Sequence, residues 1–119
     1  MTDDAAAHRA IDEPLDDEDA KLVTLARATL SRTGAAQGAA LRDTDGRTYA
    51  AATVVLPSLR LSALQAAVAM AIAAAAPGVE AAVVFGGDPD DPDGVAAVHD
   101  LTSDAPVYFV DRQGRPVAG

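Results

Sequence analysis

The chain has 119 residues, a formal net charge of −9 and no cysteine, and 50% of its residues are hydrophobic although only 3% are aromatic. So acidic a chain lacks the cations that displace counterions from a phosphate backbone, which argues against nucleic acid as a partner. The absence of cysteine excludes disulfides, cysteine-ligated zinc and a cysteine nucleophile.

Acidic residues are concentrated at the start of the chain. Eight of the 18 lie within the first twenty positions, at Asp3, Asp4, Asp12, Glu13, Asp16, Asp17, Glu18 and Asp19. Such a charge run is typical of a solvated, disordered segment, so we predict an acidic tail over residues 1–17. The alternative is a flexible acidic arm that docks on a basic protein partner.

The sequence favours a cytoplasmic protein that does not enter a membrane. No basic region followed by an apolar stretch opens the chain, as it would in a signal peptide. The most apolar run, residues 66–76, is well short of the ~20 residues that a membrane span needs.

The first half of the chain predicts one helix and a β-hairpin. Apolar residues recur at helical spacing over residues 17–32, after a run of acids, and Gly34 can end that helix. Strands are expected over residues 36–42 and 47–55. Asp45 and Gly46 should supply the positive-φ positions of the hairpin turn between them, and Pro57 should end the second strand.

The second half predicts two helices that alternate with two strands. Residues 62–76 are apolar on nearly all sides, which indicates a helix buried on more than one face and ended by Pro77 and Gly78. Residues 79–85 form the nearly continuous apolar run that is typical of a central strand. A short helix over 93–102 and a strand over 105–110 follow. The order α-β-β-α-β-α-β predicts an α/β fold with a mixed sheet, in one domain over residues 18–114 followed by a C-terminal tail over 115–119.

Two short motifs carry a family resemblance. QGAAL at residues 37–41 leads a predicted strand, and DGR at residues 45–47 forms the predicted turn. In wording, order and spacing, the chain from Lys21 to Pro116 resembles the cytidine deaminase family. That resemblance implies a three-layer α/β/α architecture and an assembly into homodimers or homotetramers. A core of small side chains would also gain from the burial that self-association adds.

The catalytic motifs of that family are not retained. Its Cys-Ala-Glu motif falls on Ala63, Leu64 and Gln65, and an alanine methyl cannot bind zinc, nor can a glutamine amide shuttle protons. The two cysteines of its Pro-Cys-x-x-Cys motif fall on Asp93 and Ala96. Its ribose-binding pair falls on Thr53 and Val55. We call these positions and the adjacent serine the remnant pocket: Thr53, Val55, Ser62, Ala63, Gln65, Asp93 and Ala96.

Ser62 and Gln65 admit two interpretations. The spacing Ser-x-x-Gln is that of a capping box, in which each side chain bonds the other residue's backbone N–H at the start of a helix. Alternatively, Gln65 offers hydrogen bonds to a ligand in the remnant pocket. The two roles are compatible, because a helix N-terminus within a pocket also attracts anions.

A retained scaffold without its metal ligands predicts a non-catalytic protein that acts as a binding or oligomeric assembly module. We therefore assign no catalytic residue, no metal and no cofactor. The alternative is an enzyme related to cytidine or nucleoside deaminases, or a nucleoside-binding protein, that uses the remnant pocket.

Overall fold

The computed structural model describes residues 15–117, so most of the predicted acidic tail lies outside the described residues. Within this range, no helix combines the length and apolarity that crossing a membrane requires. The elements follow in chain order: α1 (Asp17–Thr33), β1 (Gly38–Asp43), β2 (Thr48–Ala52), β3 (Val54–Leu56), β4 (Leu59–Leu61), α2 (Ala63–Ala73), β5 (Val79–Phe85), α3 (Pro92–Leu101), β6 (Val107–Val110) and β7 (Pro116–Val117).

Five strands form one mixed sheet in the order β2-β1-β5-β6-β7. Strand β1 is antiparallel to both β2 and β5, whereas β5 and β6 are parallel. Strand β7 lies within the predicted C-terminal tail and pairs antiparallel with β6. Alternate side chains of β5 point to opposite faces. Val83 and Phe85 pack in the cluster that contains α1, whereas Ala82 and Val84 pack in the cluster that contains α2 and α3. The predicted three-layer α/β/α fold is confirmed.

Helix α1 is closed at both ends by the residues that the sequence supplies. The Asp16 carboxylate accepts from the Asp19 N–H at 2.8 Å, and three acidic residues occupy the first turn, where the helix dipole favours negative charge. Gly34 ends the helix in the left-handed conformation, with φ of 66°, and its N–H donates to the Leu30 carbonyl at 2.9 Å. The predicted helix is therefore confirmed to within one residue.

A buried carboxylate organises the turn between β1 and β2. Asp43 Oδ1 accepts from the N–H groups of Asp45 and Arg47, each at 2.9 Å, and Oδ2 accepts from the Tyr49 hydroxyl at 2.8 Å. Gly46 has a φ of 89°, but Asp45 does not lie in the left-handed region, so its predicted positive φ is wrong. One left-handed residue suffices because the loop is longer than a two-residue turn.

The Asp43 interactions predict a stability that depends on pH. Burial alone would raise the pKa of Asp43, but hydrogen bonds from the Tyr49 hydroxyl and from the backbone of Arg47 and Asp45 outweigh it and lower the pKa. The stabilisation is therefore present above the unfolded-state pKa of about 4 and is lost as the pH falls through the lower folded-state value. We expect Asp43→Asn to melt about 5–10 °C below the wild type at pH 7, with the gap narrowing below pH 4 in circular dichroism melts.

The matched control is Asp45→Asn, at an exposed position of the same turn. It should melt close to the wild type at every pH. A deficit for Asp43→Asn that stays constant from pH 7 to pH 2.5 would contradict ionisation of Asp43 as its source.

The predicted strand over residues 47–55 is in fact divided. Strand β2 ends at Ala52, and β3 pairs with β4 as a separate two-stranded hairpin around Pro57 and Ser58. Pro57 does follow the end of a strand, as predicted, because β3 ends at Leu56. Proline fits the turn to β4, since a turn position can lack a backbone N–H. Val54 and Leu61 pack against the core from this hairpin.

Helix α2 is shorter than predicted, and less of its apolar surface is buried. It ends at Ala73 instead of residue 76, and Ala75 beyond it has a φ of 60°. The buried side is formed by Ala63, Leu64, Ala66, Ala67, Val68 and Ala71. The opposite side exposes Met70 and Ile72, with 45% and 54% of their surface accessible. A single chain therefore buries this apolar helix on one side only.

Candidate functional site

The first turn of α2 is closed by its own side chains. The Ser62 hydroxyl accepts from the Gln65 N–H at 3.0 Å, and Gln65 Oε1 accepts from the Ser62 N–H at 2.9 Å. Both hydrogen bonds of the predicted capping box are therefore present. The amide oxygen of Gln65 is directed back to the backbone of its own helix.

The first turn of α3 is closed in the same manner by Asp91. Its Oδ1 accepts from the Gly94 N–H at 3.0 Å, and Pro92 occupies the first turn, where a missing N–H costs nothing. The glycine also brings the two helix starts together, because a Cβ at Gly94 would lie 3.0 Å from Leu64 Cβ and would overlap the Asp91 carboxylate. The N-termini of α2 and α3 therefore meet at Leu64 and Gly94, a place that we call the helix junction.

Asp91 is a site residue that sequence reasoning missed. Its Oδ2 atom is buried and has no hydrogen-bond partner among residues 15–117. A buried acceptor without a donor is destabilising, so a donor from a ligand or water would be favourable there. The dipeptide Asp91-Pro92 is typical of a helix start and could have identified Asp91 as the cap of α3. It does not indicate that the start of α3 contacts α2.

The structure brings only some of the remnant pocket together. Ser62, Ala63 and Gln65 lie at the start of α2 beside Leu64, and Asp93 lies in the first turn of α3 with an exposed side chain. Ala96 follows it on the exposed surface of α3. The other two members lie on the β2–β3 segment.

Neither Thr53 nor Val55 presents a free polar group to the helix junction. The Thr53 hydroxyl accepts from the Gln37 N–H at 3.1 Å, and the Thr53 N–H donates to the Gln37 carbonyl at the same distance. Val55 lies on β3 with 65% of its surface exposed. Thr53 therefore connects β2 to the start of β1.

The donors at the helix junction do not fit a catalytic zinc ion. Such an ion takes about three protein ligands, from histidine, cysteine or carboxylate side chains. Between residues 15 and 117, no group of three or more such side chains is arranged to hold a metal. The junction itself offers the Asp91 carboxylate, a serine hydroxyl and a neutral amide.

The family model described as cytidine deaminase-like matches residues 15–114. The chain belongs to the cytidine deaminase-like family. A search of curated proteins found no match.

Solved structures of this family have the same fold. The cytidine deaminase from Burkholderia pseudomallei is similar with a TM-score of 0.68 and 22% identity, over 80% of this chain and 86% of that one. The cytidine deaminase from Mycobacterium leprae is similar with a TM-score of 0.62 and 17% identity, over 79% of this chain and 87% of that one. At these identities, the similarity establishes the architecture alone.

Proposed function

We propose that this chain is a non-catalytic cytidine deaminase-fold protein that acts as a binding or oligomeric assembly module. The observation that carries the proposal is the state of the helix junction. Where the resemblance implies Cys-Ala-Glu and Pro-Cys-x-x-Cys motifs, α2 begins with the Ser62–Gln65 capping box and α3 with the Asp91–Gly94 cap. At the three positions where the resemblance implies metal ligands, Ala63, Asp93 and Ala96, the only group that could bind a metal is the exposed Asp93 carboxylate.

The chemistry of deamination supports this proposal. The reaction needs a metal-activated water and a side chain that carries protons between that water and the base. The residue at the position of that side chain, Gln65, does not titrate, and its amide oxygen already accepts from the Ser62 N–H. Nothing else in the capping box can replace it.

Exposed apolar side chains support the assembly role. Large hydrophobic side chains are exposed on the β3–β4 hairpin and on α2, which contacts β4: Val55, Leu56, Leu59, Met70 and Ile72. Exposed apolar surface of this kind marks interaction sites. We propose that it is the interface of a homodimer or homotetramer.

The non-catalytic proposal and the catalytic alternative predict opposite results for zinc binding and for turnover. Under the non-catalytic proposal, we expect less than about 0.1 zinc per chain after incubation with zinc and desalting, because three ligands are missing. We also expect no release of ammonia from cytidine above the blank. Elemental analysis and a coupled ammonia assay test both, with the Burkholderia pseudomallei cytidine deaminase assayed in parallel. Stoichiometric zinc or protein-dependent ammonia would support an enzyme.

A second candidate function is nucleoside binding without turnover. The unpaired Asp91 Oδ2 at the helix junction favours it, since this buried acceptor would gain a donor from a ligand. A thermal-shift series with nucleosides should then raise the melting temperature with ligand concentration. Asp91→Asn should reduce that shift, whereas Asp100→Asn, at an exposed site on the same helix, should not. Flat melting temperatures for all nucleosides would eliminate this function.

A further inference from the structure

A cleft lies on the α1 face of the sheet, opposite to α2 and α3. Its volume is about 460 Å³, within the usual range for small-molecule sites. It opens beside Phe85, the last residue of β5, and Arg112, which follows the end of β6. The side chains that line it are Arg27, Leu30, Ser31, Ala35, Phe85 and Arg112.

The first cation of this cleft is held over an aromatic ring. The guanidinium carbon of Arg27 lies 5.1 Å from the centroid of the Phe85 ring, within the range of a cation–π interaction. A Cβ at Gly114 would lie only 2.8 Å from Arg27 Nη2, so the glycine leaves room for the guanidinium. Arg27 is therefore positioned by α1, by β5 and by the β6–β7 turn.

The second cation lies beside the residue that follows Phe85. A Cβ at Gly86 would lie 3.7 Å from the guanidinium carbon of Arg112. The backbone at this point is fixed, since the Gly86 N–H donates to the Val110 carbonyl at 3.1 Å. Gln37 Nε2 donates to the Gly86 and Asp88 carbonyls at 3.0 and 2.9 Å. The two guanidiniums therefore lie over consecutive residues of a fixed strand end.

Neither guanidinium has a carboxylate or hydrogen-bond partner within residues 15–117. The carboxylate adjacent in sequence, Asp111, is already engaged. Its Oδ1 accepts from the N–H groups of Gln113 and Arg115 at 2.9 and 3.0 Å, and its Oδ2 lies 3.6 Å from Arg115 Nε. In a chain with a net charge of −9, two arginines that line one cleft and have no counter-charge among the described residues make a distinct positive site.

We propose that this cleft binds a small organic anion, with its phosphate or carboxylate group held by Arg27 and Arg112. Arginine is suited to both groups because its planar guanidinium donates two parallel hydrogen bonds to paired oxygens. The apolar body of the ligand would lie against Ala35, because Leu30 and Phe85 expose only 6% and 4% of their surface. The site is independent of the helix junction and of the function proposed for it.

The test uses phenyl phosphate as the probe, titrated into the ¹⁵N-labelled full-length protein and followed by NMR. Shifts should concentrate at Phe85, Gly86 and Arg112, because the probe combines an oxyanion with an apolar ring. Benzoate, which has a carboxylate, should shift the same signals. Inorganic phosphate has the oxyanion without the ring, and phenol has the ring without the oxyanion, so each should bind at least tenfold more weakly than phenyl phosphate. Equal binding of phenol and phenyl phosphate would overturn the role of the arginines.

Substitutions distinguish this site from general electrostatic attraction. Arg27→Gln and Arg112→Gln should each weaken phenyl phosphate binding at least tenfold, whereas Arg32→Gln, an exposed arginine of α1 outside the cleft lining, should not. If all three variants lose affinity equally, or none does, the proposal is wrong.

A full-length variant with Asp3, Asp4, Asp12 and Glu13 neutralised tests the chain's own carboxylates as the occupant. Binding seen only in that variant would assign the cleft to the N-terminal segment and overturn the small-ligand proposal.

Discussion

Substituting alanine for Arg42 is expected to lower the free energy of unfolding by about 3–5 kcal/mol, a large fraction of the stability of a small domain. Arg42 lies on β1, beneath the start of α1. Its Nη2 donates to Asp19 Oδ1 at 2.9 Å, its Nη1 donates to the Glu18 carbonyl at 3.1 Å, and its Nε donates to Glu80. Asp19 is only 6% exposed, so the substitution would leave a buried carboxylate without its cation.

The size of this effect comes from the unpaired partner more than from the ion pair itself. Burial alone would lower the pKa of Arg42, but the hydrogen bonds and charges of Glu80 and Asp19 raise it, so the guanidinium stays charged. Replacing both charges with apolar groups leaves no buried ion behind. The double variant Arg42→Met, Asp19→Leu should therefore be destabilised less than Arg42→Ala.

Urea denaturation followed by circular dichroism measures these differences. Arg32→Ala, at an exposed position on α1, serves as the control and should change the free energy of unfolding by less than about 0.5 kcal/mol. If Arg42→Ala lies within about 1 kcal/mol of the wild type, water solvates Asp19 in the variant and the buried-charge argument fails.

The regular elements could be predicted where one pattern dominates a segment. Strand β5 matches its predicted range of 79–85 because the run is apolar except for Glu80 and is bounded by glycine at each end. The α1 caps were readable because an acidic start and Gly34 act on neighbouring residues. Strand β4 was missed because three residues, Leu59–Leu61, carry too little pattern and Pro57 suggested an end.

The site was predictable only where its contacts are local. The Ser62–Gln65 capping box joins residues three apart, so the sequence alone predicted it correctly. The contact of Gly94 with Leu64 joins two helices separated by β5, and no local pattern encodes it. The same holds for Arg42, which contacts Asp19 on α1 and Glu80 on β5. It holds too for the arginines of the cleft, because folding brings Arg27 beside Phe85 and Arg112 beside Gly86.

Introducing glutamate into the exposed apolar surface is expected to dissociate the proposed homo-oligomer. Leu56 on β3 and Ile72 on α2 each have 54% of their surface exposed, so they are free to contact another copy. A central interface side chain contributes about 2 kcal/mol or more, and a buried unpaired glutamate adds a further penalty. Leu56→Glu and Ile72→Glu should therefore each raise the dissociation constant at least ~30-fold, as measured by sedimentation velocity over a concentration series.

The control must add the same charge on the other side of the sheet. Ala28→Glu does so, because Ala28 is exposed on α1, and it should leave the sedimentation profile unchanged. A dissociated variant should remain folded, because more than half of the surface of Leu56 and of Ile72 is exposed in the single chain. It should nevertheless melt at a lower temperature that no longer rises with protein concentration, because association stabilises the folded state by mass action. A wild type that sediments as one chain at all concentrations would contradict the assembly proposal and leave the exposed side of α2 to a different partner.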